Sequence, residues 1–141
     1  MRIIGLLSIG TLLLAGVSVA QGPSFQLVGT MSELMVNVIH PASNDILMSI
    51  YRGAPKDDKE WAAVQRSALV LAESGNLLLM PGRVRDQGDW IKNSKLLLDA
   101  GTAVYKAARA KDAKALAALD AQIDATCTTC HKQYRPNVYP K

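Results

Sequence analysis

The sequence predicts an all-α protein, an antiparallel four-helix bundle. Three observations predict it. Apolar residues recur at steps of three and four through four successive stretches, each of about twenty residues. Short connections rich in Gly, Pro and Asp separate them, as in "RGAPKDD" and "MPGRVRD". No central run alternates apolar and polar residues as a half-buried strand would. The chain of 141 residues suffices for one ordinary domain and is too short for two.

Residues 1–20 read as a leader rather than as part of that domain. Arg2 supplies a positive start, "IIGLLSIGTLLLAGV" is an apolar run, and Ser18 and Ala20 are small residues before Gln21. This layout predicts a secretory signal peptide cut after Ala20, leaving a domain over 21–141 in the periplasm. A retained anchor is the alternative, but the run is short of the roughly 20 apolar residues that span a bilayer. No later run approaches that length, so no stable membrane insertion is expected once the leader is removed.

The first helical segment is expected from about Ser24 to Tyr51. Met31, Leu34, Met35, Val38 and Ile39 share one face, and Ile46, Leu47 and Ile50 resume it. Pro41 lies between them, lacking an N–H and crowding the preceding turn, so the segment should kink or split there. Gly53 and Pro55 stop it. The second segment is expected from about Asp57 to Leu79. Asp57 or Asp58 caps it, and Trp61, Val64, Ala68, Leu71, Ala72, Leu78 and Leu79 mark the buried face. Gly75, mid-helix, would let another backbone approach.

The third segment is expected from about Asp89 to Ala110. Trp90, Leu97 and Val104 recur every seven residues, with Ile91, Leu98 and Tyr105 beside them. The fourth starts at Asp112, a capping residue, and ends at Pro136. Leu116, Leu119, Ile123, Cys127, Cys130 and Tyr134 follow at helical steps, so both cysteines share the face of the core leucines.

Charge excludes one function class. Sixteen Lys and Arg against twelve Asp and Glu give a net charge of +4, but the basic residues are scattered. A nucleic-acid binder needs a basic stripe. Nothing suggests a hydrolase either, since the only histidine outside the last helix, His40, adjoins a proline. The chain is read as not an enzyme.

Both cysteines and the other histidine fall within "CTTCH", residues 127–131. C-x-x-C-H is the attachment pattern of a c-type haem. Thiols three apart lie on one helical face and can link to one edge of a porphyrin. His131, four past Cys127, lies over it and can bond the iron. Three other readings compete: a plain disulfide, a redox-active dithiol, and half of a zinc site. Zinc would want more ligands than the chain offers, and a dithiol usually follows a strand.

"CTTCHKQYR", closing the last helix of an expected bundle, resembles the class II c-type cytochromes, the group of cytochrome c′ and its low-spin relatives. Cys127, Cys130, His131, Tyr134 and Arg135 match that family's C-x-x-C-H-x-x-Y/F-R pattern. The resemblance implies one covalent haem c per chain, with Cys127 and Cys130 as the thioether links and His131 as the proximal iron ligand. It also allows a homodimer through the first two helices, and it puts the distal residue on the first helix.

That helix offers Met31 and Met35, four apart on one face. Met35 is the first choice as distal ligand and Met31 the second. His40 would give bis-histidine ligation, but five residues past Met35 it lies well round an α-helix, and an exposed or hydrogen-bonded role is favoured. Arg135, Arg83 and Arg85 are candidates to hold the haem propionates. Trp61, Trp90 and Tyr105 are read as core. The expected function is a periplasmic electron carrier between redox protein partners. The alternatives are a cytochrome c′-like binder of nitric oxide or carbon monoxide at an open iron, and a haem-free CxxC thiol redox protein.

Overall fold

A computed structural model describes residues 24–137. The expected leader, 1–20, lies outside them. The described residues form a helical bundle with no strand: α1 (Met31–Leu34), a π turn (Met35–Ile39), α2 (His40–Tyr51), α3 (Asp58–Leu78), α4 (Asp89–Arg109), α5 (Ala113–Ala117) and α6 (Asp120–Tyr134).

α1 starts later than the expected Ser24. The Thr30 hydroxyl accepts the Glu33 N–H at 3.2 Å, and the Glu33 carboxylate accepts the Thr30 N–H at 2.8 Å. This capping box satisfies two donors that a helix start leaves open, and it fixes the boundary there. The residues before it are not helical, and Val28 is exposed.

The backbone stays helical across Pro41, but the turn before it is widened. The His40 N–H donates to the Met35 carbonyl, five residues back. Pro41 has no N–H to offer Asn37, and its ring crowds that carbonyl. A π turn makes room without ending the helix. Pro41 then occupies the first turn of α2, where a missing N–H costs least.

Asp57 caps α3, its carboxylate accepting the Glu60 N–H at 2.8 Å. α3 and α4 pack closely through two glycines. A Cβ on Gly75 would lie 2.8 Å from the Ser94 carbonyl oxygen and the Leu98 nitrogen, and one on Gly101 would lie 2.7 Å from the Ala72 Cα. Either distance is too short for a side chain, so these backbones meet only because the Cβ is absent. Gln65 donates to the Ala108 carbonyl, and the Trp90 indole donates to the Leu78 carbonyl.

The fourth expected helix, from Asp112, is two. Asp112 caps α5, accepting the Ala115 N–H at 2.9 Å. The chain then tightens so that the Leu119 N–H donates to Leu116, three residues back, before α6 begins. Leu116 and Ile123, on either side of this turn, are both almost fully buried. With Ile46, Leu71 and Val104 they form the centre of the core. The Trp90, Leu97 and Val104 stripe is buried as expected, while Ile91, Leu98 and Tyr105 flank it half-buried.

The π turn and α2 rest mainly on α3, whereas α6 rests mainly on α4. α2 and α6 scarcely touch each other. A cleft remains between them.

Candidate functional site

On α6 the buried face runs through Ile123 and Thr126 and then reaches the cleft. Cys127, Cys130 and His131 are half-buried there, and both cysteines are free thiols. All three line one cavity of about 330 Å³. Its other wall is the π turn and α2, with Met35, Ile39, His40 and Leu47, and Leu78 and Leu97 of α3 and α4 close it. A second cavity, of about 220 Å³, adjoins it and shares Met35, Cys130, His131 and Arg135. Met31 lines only this smaller space.

Electrostatics keep the thiols and the imidazole neutral. Burial pushes the Cys127 thiol up, and the Asp124 carboxylate adds to it. Burial raises Cys130 to about 11, with Cys127 contributing second. Burial lowers His131 below its ordinary value, and the Arg135 guanidinium lowers it further. At neutral pH the α6 wall therefore presents two S–H groups and an uncharged imidazole.

The residues fit a c-type haem. Two thiols and an imidazole on adjacent turns face a space whose walls mix Ile39, Leu47, Leu78 and Leu97 with polar Ser43, Asn93 and Asp124, of a size that small-molecule sites use. A thioether, Met35, stands across that space. Among the described residues no group of three or more His, Cys, Asp or Glu side chains is placed to hold a metal ion.

The arginines divide. Arg135 lines both cavities and Arg85 lines the smaller. Arg83 lines neither and turns back to the end of α3, where its guanidinium donates to the Leu77 carbonyl at 3.4 Å. Trp90 is buried, as read, but also borders the smaller cavity. Its ring meets Tyr134 edge-on, with centroids 4.9 Å apart and planes at 84°.

Sequence reasoning missed the device that holds the end of α6. The Tyr134 hydroxyl donates to Asp86, whose other oxygen accepts the Gly88 and Trp90 N–H groups at 2.9 and 3.1 Å. Gln133 donates to Asp89 at 3.1 Å. The Asp-x-Gly spacing of Asp86 and Gly88 is a turn signal that could have marked the loop, but nothing local to it points to a residue 48 positions away. His40 is exposed, as expected, yet it lines the larger cavity together with Met35. Compared with protein-family models, with curated proteins and with solved structures, the chain finds no match.

Proposed function

We propose that the protein is a periplasmic c-type cytochrome, an electron carrier rather than an enzyme, with one covalent haem c in the α6 cleft. One observation carries the reading: Cys127, Cys130 and His131 line the same cavity, and Met35 lines it from another helix. Cys127 and Cys130 would provide the thioether links, His131 the proximal ligand and Met35 the distal one. A haem held this way supplies one-electron chemistry at its iron. The chain's part is to fix the imidazole and thioether on separate helices and to exclude water with Ile39, Leu47, Leu78 and Leu97. Arg135, and Arg85 from the α3–α4 loop, are the better placed partners for the propionates. Arg83 would have to leave the α3 carbonyl first.

The scaffold reading is an antiparallel four-helix bundle whose first helix bends at the π turn before Pro41. Pairing of Gln65 with Ala108, Ala72 with Gly101 and Leu78 with Trp90 runs in opposite chain order, which supports it. Export by the leader at 1–20, redox protein partners and a homodimer belong to the same proposal.

The dithiol alternative is disfavoured by the raised thiols, because exchange chemistry uses thiolates. The test is intact mass and absorption of protein exported from cells competent in haem attachment. Covalent haem with a low-spin spectrum and a sulfur-to-iron band is expected. High-spin ferric iron, with rapid CO binding once the protein is reduced, would replace the electron carrier by the gas binder. The mass of bare polypeptide would remove the cytochrome reading.

A further inference from the structure

The π turn assigns a role to His40 that a regular helix would deny it. At about 100° per residue, Met35 and His40 would lie roughly 140° apart on an α-helix. Here the His40 N–H closes onto the Met35 carbonyl, five residues back, so the turn is wider than an α-turn and the two side chains lie closer round the helix axis. The two side chains therefore line the same cavity, with Cys127, Cys130 and His131. Met31, one α-turn before Met35, does not reach it. Wide turns of this kind recur at functional sites because they re-aim side chains.

We propose that His40 is a second distal ligand, competing with Met35 for the iron, so that the protein has two six-coordinate states. The proposal rests on the cytochrome reading above. Thioether and neutral imidazole are each uncharged donors of one electron pair. Exchanging them breaks one donor bond and forms another, with no net movement of electrons. The soft sulfur suits ferrous iron and the harder nitrogen suits ferric iron, so oxidation favours His40 and reduction favours Met35. His40 is exposed at the cavity rim, and so is free to enter and leave without opening the core.

The experiment compares haem-loaded wild type, Met35→Leu and Met35→Leu/His40→Ala. Met35→Leu keeps the side-chain volume, and His40→Ala changes an exposed residue, so both variants should fold. Near-infrared magnetic circular dichroism reads the ligands, and intact mass reads covalent haem. Met35→Leu is expected to stay low-spin with nitrogen-only ligation, at a lower midpoint potential than wild type. The double variant is expected to become high-spin. A high-spin Met35→Leu that carries its haem mass would overturn the proposal and leave His40 as a solvated rim residue. A bare-polypeptide mass for wild type would overturn the cytochrome reading first, and this proposal with it.

Discussion

Tyr134 and Asp86 join the end of α6 to the loop between α3 and α4: the phenol donates to one carboxylate oxygen while the other oxygen holds two backbone N–H groups. This bond, with that from the Trp90 N–H second, keeps the Asp86 carboxyl below its usual range. Burial and the Asp86 bond raise the Tyr134 phenol. The signs follow. Asp86 stabilises the fold above its unfolded value of about 3.9, and that contribution is lost as pH falls through the lower folded value. Tyr134 contributes below its unfolded value of about 10, and loses that as pH rises through the higher folded value. Thermal melts against pH should show Asp86→Asn flattening the acid limb of the curve. Tyr134→Phe, which keeps the ring against Trp90, should flatten the alkaline limb. A wild-type acid limb unchanged in Asp86→Asn would remove the clamp.

The α3–α4 contact makes a sharper prediction. Gly101→Ala drives a Cβ into the Ala72 backbone, which has no flexible atom to yield. A cost of about 1–3 kcal/mol in chemical denaturation is expected. Gly29→Ala is the control, since its Cβ would meet Glu33 at an ordinary 3.7 Å. It should change stability by less than about 0.5 kcal/mol. Equal effects at the two sites would contradict the packing described.

The capping box at Thr30 is the start of the helix that carries Met35. Thr30→Ala removes the side-chain acceptor of the Glu33 N–H. Loss of about 1 kcal/mol is expected, with faster amide exchange confined to the first turns. Uniformly faster exchange across α3 and α4 would argue against a local cap.

Thiol reactivity separates the cytochrome reading from the dithiol one. Alkylation of Cys130 in the haem-free chain should rise with pH toward a midpoint of about 11. At pH 7.5 the Cys130 thiolate fraction should be about three hundredfold below that of an unperturbed thiol near 8.5. A midpoint below 8 would favour exchange chemistry.

Much of this was legible in the sequence, for identifiable reasons. Trp90, Leu97 and Val104 recur at a bundle period, and all three are buried. Cys127, Cys130 and His131 lie within two helical turns, so local geometry alone brings them to one cavity. His40 is exposed, as its place beside Pro41 suggests, but a helical wheel assumes uniform turns and does not show that it borders the same cavity as Met35. The start at Thr30 was written in its spacing to Glu33, and was overlooked beside the longer apolar pattern. The break between α5 and α6 has no Gly or Pro to announce it. Asp86 meets Tyr134 only through the tertiary fold, which no local pattern encodes.

The two walls of the cleft stand on different members of the α3–α4 pair, and that pair is spaced by Gly75 and Gly101. The glycines thus act as the gauge of a caliper whose jaws are the Met35 turn and the His131 turn. If the cleft holds a haem, its colour would then answer to substitutions at Gly75 and Gly101, which do not themselves line the cavity.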